Sequence, residues 1–270
     1  MNYRHAFHAG NFADVVKHAL LLDLLRAMQR KDKPFLVLDT HAGIGRYDLS
    51  SGPAEKTGEW RDGIAKILAA RPEALADYLA VVEKLGLYPG SPAIAAALLR
   101  PDDRLIACEL HPEDAATLKR NFRSVPGAAM HERDGYEALR AFLPPPERRA
   151  LVLIDPPFER PDEFATLEKN LLAAYEKFRT GVFAVWYPIK HRAPVREFFE
   201  RLGASKLRDV VTAEFLRRPP TDPARLNGCG LLVINPPYGF APAAETILQA
   251  IQSVLGEPGG SSFVERLIDE

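Results

Sequence analysis

From residue 34 onward the chain alternates short apolar runs with stretches of helical periodicity. Seven runs read as strands: FLVLDT (35–40), RLIACEL (104–110), AAMHER (128–133), ALVLID (150–155), VFAVWYP (182–188), LRDVVTAEFL (207–216) and GLLVINP (230–236). Short apolar runs separated by helical stretches are the pattern of an α/β fold, with a parallel or mostly parallel sheet covered by helices on both faces. Between the last two runs lie Pro219, Pro220, Pro223, Asn227 and Gly228. These turn residues are too few to hold a crossover helix, so the last strand is expected to pair antiparallel.

Before the first strand, Asn11 is placed to cap a helix running to about Gln29, with Leu21, Leu25 and Met28 on one side and Lys17 and His18 near its start. Residues 46–100 break the regular alternation. A turn from strand to helix normally takes about 2–6 residues, yet helical runs at 60–69 and 73–85 precede a third at 92–99. Residues 46–90 therefore read as an inserted helical subdomain within a single domain spanning 1–270. Ser91 followed by Pro92 predicts the cap and first residue of the third helix.

Composition narrows the class. The 270 residues are 47% hydrophobic and 26% charged, ordinary values for a folded globular chain and unlike a disordered or fibrous one. The 35 basic and 36 acidic side chains leave a net charge of −1, so any nucleic-acid surface must be a local patch. Cys108 and Cys229 lie far apart in apolar runs, which offers neither a disulfide framework nor a thiolate zinc site and suits a reducing compartment. Asp14, Lys17, His18 and Asp23 interrupt the first apolar stretch, and no later run approaches 18 apolar residues. A cytoplasmic protein without a membrane partner is expected.

The candidate chemistry gathers at strand ends. The first strand runs into LDTHAGIG (38–45), where Gly43 and Gly45 let the backbone turn sharply against a nucleotide. Glu109, Asp134 and Asp155 stand at or just beyond the ends of the next three strands, a row of acids along one sheet edge. A carboxylate at the second position can accept both ribose hydroxyl protons, and Asp134 with Gly135 would lie near an adenine edge. Asp155 opens the run Asp155-Pro156-Pro157-Phe158. An exocyclic amine on a planar base is a poor nucleophile because its lone pair is delocalised into the ring. A carboxylate and a backbone carbonyl that accept its two protons favour a pyramidal nitrogen and offset its developing charge. The prolines stiffen the loop, and the aromatic ring offers a flipped base a stacking surface.

Two other groupings compete for attention. Asn235-Pro236-Pro237-Tyr238 repeats the loop pattern at the end of the last strand, but an amide cannot supply the charge of Asp155. His5, His8 and His18 lack a carboxylate or thiolate partner at metal-ligand spacing, so no metal is expected.

The opening YRHAFHAGNFADVVKH together with LDTHAGIGRY, YPGSP, ELHP, RDGY, IDPPF, WYP and VINPPY resembles the RlmJ family, class I S-adenosylmethionine-dependent methyltransferases that act on N6 of an adenine in 23S ribosomal RNA. The resemblance runs along essentially the whole chain. It implies a seven-stranded Rossmann-like sheet and S-adenosyl-L-methionine as cofactor, held by His18, His41, Ser91, Glu109, Asp134, Gly135 and Asp155. Asp155 would also be the catalytic acceptor. The first 33 residues would face the substrate, with Tyr3 and Lys17 bordering the adenosine pocket and Pro156 and Phe158 forming its loop. Phe158 stands where the family more often has tyrosine, which keeps stacking and loses a hydroxyl.

Residues 190–225 carry nine Lys or Arg against five Asp or Glu, and residues 1–33 carry six against three. Beside a base-methylating loop these excesses suggest phosphate contacts from Arg4, Lys17 and Arg192. The loop chemistry alone also suits DNA adenine N6 or guanine N2 as target, and a non-catalytic nucleic-acid-binding protein involved in DNA utilisation is a third class, opposed by intact Asp155 and Glu109. The implied partner is 23S rRNA, protein-free or at an early assembly stage, bound by a monomer.

Overall fold

In the computed structural model, which describes residues 4–50 and 52–270, the principal sheet has eight strands. In chain order they are β1 (Leu36–Asp39), β2 (Arg104–Glu109), β3 (Ala128–Glu132), β4 (Ala150–Ile154), β5 (Val182–Ile189), β6 (Val210–Leu216), β7 (Gly228–Ile234) and β8 (Ser261–Ile268). Their order across the sheet is β8-β6-β7-β5-β4-β1-β2-β3. The first five pair in parallel. β7 runs antiparallel to both β5 and β6, with Phe183 and Val210 each opposite Ile234. β6 therefore points the same way as β1–β5, as the turn residues between β6 and β7 predict.

The eighth strand corrects the count of seven. Ser261–Ile268 adds antiparallel to the outer side of β6, with a register shift between Arg266 and Ile268. It is an edge strand, exposed or half-buried along its length. Its apolar residues are too few and too unevenly spaced to show a clean period of two.

The central strands are buried on both faces, which is why they read as continuous apolar runs. Along β4, Leu151 and Leu153 enter one core while Ala150, Val152 and Ile154 enter the other. The first core lies under helices α1 (Phe12–Gln29), α5 (Ser91–Leu98), α6 (Pro112–Phe122) and α10 (Phe240–Leu255), and the second under α7 (Gly135–Phe142), α8 (Glu163–Lys177) and α9 (Arg192–Gly203). Asn11 caps α1 as expected, its side chain accepting from Asp14 N at 3.0 Å. Fourteen of the 18 residues of α1 are buried, so this helix is a core element rather than an amphipathic cover. It touches α5, α10, β4 and β7.

Between β1 and α5 the chain forms α2 (Gly52–Thr57), α3 (Ile64–Ala70) and α4 (Ala76–Leu85), with a short ribbon pairing Arg46–Tyr47 with Tyr88–Pro89. The run expected at 60–69 is interrupted at Gly63, where a Cβ would lie 2.2 Å from Gly10 O. There the chain crosses the N-terminal segment, and Ile64 N donates to Gly10 O at 2.9 Å. At α5 the cap is Gly90, not Ser91, which is already helical and buried. Ser91 lies instead beside the buried carboxyl of Asp39, which it helps to keep ionisable.

Candidate active site at the carboxyl edge of the sheet

The parallel strands deliver their acids to one edge. Asp39 closes β1, Glu109 closes β2, Asp134 follows β3 and Asp155 follows β4 directly. Glu109 Oε2 accepts from Gly43 N at 3.0 Å and Oε1 from His111 N at 2.7 Å. The carboxylate thus fastens the glycine turn to the second strand, and burial raises its pKa. Gly43 and Gly45 have φ of +59° and +73°, the left-handed conformations their place in the turn requires. Asp134 caps α7, with Oδ1 accepting from Tyr136 N at 2.8 Å and Glu137 N at 3.0 Å. At Gly135 a Cβ would lie 2.4 Å from Thr40 O and 2.6 Å from His41 Cε1, so only glycine lets α7 start this close to the β1 turn. His41 hydrogen-bonds Thr40 Oγ1 through Nδ1 at 2.7 Å and meets Tyr136 edge-on. Burial pulls its pKa down to about 4, leaving a neutral ring at physiological pH.

The first turns of α1 complete the site from below. Asp14, Lys17 and His18 are spaced i, i+3 and i+4, so they share one helix face. Lys17 Nζ lies 2.6 Å from Asp155 Oδ2 and 3.0 Å from Asp14 Oδ1. Burial alone would lower the Lys17 pKa, but the two carboxylates hold it well above its ordinary value. Asp14 Oδ2 accepts from Gly10 N at 3.0 Å and pairs with His5 Nε2 at 2.9 Å. Against the upward push of burial, His5 and Lys17 keep the Asp14 carboxyl well below the usual range. His18 Nδ1 meets the Tyr88 hydroxyl at 3.0 Å, while its buried Nε2 has no hydrogen-bond partner. Asp39 is likewise buried with Oδ2 unpartnered. Burial pushes its pKa up to about 6, and the neighbouring Asp155 adds to this.

In the loop after β4, Phe158 adopts φ +49° and its ring packs 4.9 Å from Phe164 and 5.9 Å from Trp186. The loop is thereby anchored to the hydrophobic core on the α8 side of the sheet.

The site residues expected from sequence gather unevenly. His41, Glu109, Asp134, Gly135 and Asp155 stand at or just beyond the carboxyl ends of β1–β4, Ser91 starts α5, His18 follows Lys17 on α1, and Pro156 and Phe158 lie in the loop after Asp155. Tyr3 lies outside the described residues. Lys17 is committed to Asp14 and Asp155 within the protein. Arg4 pairs with Glu113 at 2.9 Å and Asp114 at 2.5 Å on the first turn of α6, and Arg192 with the buried Glu214 at 2.5 Å. His5 and His18 lie on either oxygen of Asp14, at 2.9 and 3.8 Å, with His18 also on Tyr88, while His8 pairs with Glu59. Asn235 sits at the end of an antiparallel strand and so on the opposite edge from Asp155. Its amide donates to Arg179 O and Gly181 O, both at 2.8 Å, bracing the turn into β5.

Sequence reasoning missed Asp14, Asp39 and Tyr88 as site residues. The signal for Asp39 was present in its position at the end of an apolar strand run. Asp14 was visible only as a charge in an apolar helix, and the place of Tyr88 depends on the fold of the 46–90 segment.

A family model described as ribosomal RNA large subunit methyltransferase D, RlmJ, matches residues 32–268. A Haemophilus influenzae protein named ribosomal RNA large subunit methyltransferase J is 40% identical over 280 residues, covering all of both chains. The Escherichia coli protein of the same name is 39% identical over 279 residues, again across the full length of both. A crystal structure of a Legionella pneumophila protein superposes with a TM-score of 0.89 at 35% identity, covering 96% of this chain and 98% of that one. With its acids in place at one sheet edge and its full length matched, this chain belongs to the RlmJ family of ribosomal RNA large subunit methyltransferases.

Proposed function

We propose that the protein methylates the exocyclic N6 amine of an adenine in 23S rRNA, with S-adenosylmethionine as donor and Asp155 as the group that holds the amine. The observation that carries this reading is the placement of Asp155 at the carboxyl end of β4, in a proline-stiffened loop and 2.6 Å from the buried Lys17 ammonium. A planar amine needs an acceptor held in advance of the reaction, and this carboxylate is fixed by a buried cation.

The crevice suits the cofactor. His18 Nε2 and Asp39 Oδ2 are buried and unpartnered, which matches the carboxylate and ammonium of an amino-acid end. Ser91, His41 and the Gly43–Gly45 turn line the way to Glu109, whose carboxylate can accept ribose hydroxyl protons, and Asp134 with Gly135 lies toward the adenine end. The cofactor supplies an electrophilic methyl group on a sulfonium. Lys17 takes Asp155 Oδ2, so Oδ1 is left to accept from the target amine. The carbonyl of the Pro156–Pro157 segment, which has no N–H to compete, can accept the second proton. As positive charge develops on the nitrogen, the Asp155 carboxylate offsets it. The proton lost as the product regains planarity passes to Asp155 or water.

The RNA side is supported by topology. β5 and β6 end on the same edge as Asp155, and the segments that follow them carry the exposed Lys190 and Arg225. Arg192, Arg217 and Arg218 are paired with Glu214 or Glu257, so Lys190 and Arg225 are the better phosphate contacts. In this reading residues 46–90 form a helical subdomain and, with the first 18 residues, shape RNA recognition. The protein works as a cytoplasmic monomer on protein-free or early-stage 23S rRNA. Among the described residues no helix is long and apolar enough to cross a membrane. Methyl transfer assayed side by side on protein-free 23S rRNA, duplex DNA and small metabolites tests the reading. N6-methyladenosine should form in the rRNA alone, and transfer only to DNA or to a metabolite would overturn it.

A further inference from the structure

We propose that Tyr78 and Tyr88 act as positioning residues that fix His18 as the tautomer with its proton on Nε2, making it a hydrogen-bond donor toward the carboxylate of the cofactor's amino-acid end. The inference rests on the placement of His18 in the cofactor pocket argued above. It assigns the segment between β1 and α5 a part in cofactor binding, since Tyr78 comes from α4 and Tyr88 from the ribbon before α5.

Three polar groups form a line. The Tyr78 and Tyr88 hydroxyls are 3.1 Å apart, and the Tyr88 hydroxyl is 3.0 Å from His18 Nδ1. All three side chains are buried, so each proton must find its partner inside the protein. Burial holds His18 neutral, with its pKa pulled down to about 3, and keeps both phenols protonated by raising theirs. The line therefore contains three protons and two links, so one proton stays outside it in every arrangement.

If His18 carried its proton on Nδ1, that N–H would donate to Tyr88, and the proton left over would be a buried phenol's: Tyr78's if Tyr88 donates to Tyr78, Tyr88's if Tyr78 donates to Tyr88. Neither hydroxyl has a further acceptor among the hydrogen bonds of the described residues. The bare lone pair of Nε2 would also face Asp14 Oδ1 at 3.8 Å, lone pair against carboxylate. In the other direction Tyr78 donates to Tyr88, Tyr88 donates to His18 Nδ1, and every buried donor is used except Nε2–H. Asp14 is too distant to accept that proton, and its oxygens already serve Lys17, His5 and Gly10. The protein thus presents a fixed N–H in the crevice, next to the Lys17 cation, where an anionic group can take it.

Nitrogen-15 NMR of the full-length, ligand-free protein with labelled histidine reads the tautomer directly, and calorimetry with S-adenosylhomocysteine reads the binding. The expected wild-type spectrum shows His18 protonated at Nε2. In Tyr88→Phe the tautomers should mix and the Kd should rise ~10-fold, the loss of one hydrogen bond to a charged group. At saturating cofactor, kcat should stay within about twofold. The double variant Tyr78→Phe/Tyr88→Phe leaves no orphaned hydroxyl, and it gives the same readout should Tyr88→Phe fold poorly. A wild-type His18 protonated at Nδ1, or an unchanged tautomer and Kd in the folded variants, would overturn the proposal. His18→Ala separates the two layers: wild-type Kd in that variant refutes the cofactor contact itself, whatever the tautomer.

Discussion

Lys17 stands between Asp14 and Asp155 with its ammonium 3.0 Å from one carboxylate and 2.6 Å from the other. One buried cation thus joins a structural acid of α1 to the acid that ends β4. The arrangement explains why a core helix begins with charged residues. It also gives Asp155 a permanent counter-charge that holds one of its carboxylate oxygens in place.

Lys17→Met should therefore damage both fold and chemistry. Removing one member of a buried ionic group leaves the others uncompensated, a cost of about 3–5 kcal/mol, readable by denaturant unfolding. Methylation should fall ~10²-fold or more. The pH dependence has a definite sign. Asp14 is held below its ordinary range in the folded protein, so its contribution is present above pH ~4 and is lost as pH falls through its folded value. Asp14→Asn should flatten that acid limb of the stability curve.

Asp39 behaves in the opposite sense. Its folded pKa of about 6 lies above that of the unfolded chain, so stability should decline as pH rises from ~4 to ~6 and then level off. Asp39→Asn should abolish this decline and raise the melting temperature of the ligand-free protein at pH 7. Cofactor affinity should fall in the same variant, and in the wild type it should weaken below pH 6 as the carboxyl is neutralised. Thermal unfolding and calorimetry across pH 4–8 check both halves.

Asn235→Ala should lower stability without touching catalysis. The variant loses two hydrogen bonds to backbone carbonyls and places alanine at φ +53°, a combined cost of about 1–3 kcal/mol. Turnover at a temperature where the variant is folded should remain within a few-fold of wild type.

RNA affinity should fall steeply with added salt as phosphate counterions are exchanged. Lys190→Ala and Arg225→Ala should each weaken binding across sequences and reduce the salt slope by ~1. Arg192→Ala should instead expose the buried Glu214 and act mainly on stability. Filter binding over a salt series, with unfolding measured in parallel, distinguishes these effects.

Much of the sheet was legible because central strands buried on two faces leave unbroken apolar runs, and the acids that close them stand out against such runs. Glu109, Asp134 and Asp155 were found in this way. β8 was not, because an edge strand mixing Phe263, Glu265 and Arg266 carries little periodicity. Ser91 looked like a helix cap because sequence shows its neighbour Pro92 but not that the helix starts one residue earlier, with Gly90 as its cap. Arg4 and Arg192 looked available to phosphate because the acids that bind them are distant in sequence, Glu113 and Asp114 in one case and Glu214 in the other. The Asn235 loop looked like a rival to Asp155 by its motif, although the antiparallel pairing expected of its strand already placed it elsewhere. An antiparallel strand carries its end to the far edge, whatever motif it bears.

Single-turnover methylation of protein-free 23S rRNA at saturating cofactor by Asp155→Ala is the most direct test of the central claim. Loss of one pre-organised acceptor should remove about 3 kcal/mol of transition-state stabilisation, a rate loss of ~10²-fold or more. The Asn235→Ala enzyme assayed alongside should stay near the wild-type rate. Near-normal chemistry in Asp155→Ala, or abolition only in Asn235→Ala, would contradict the mechanism.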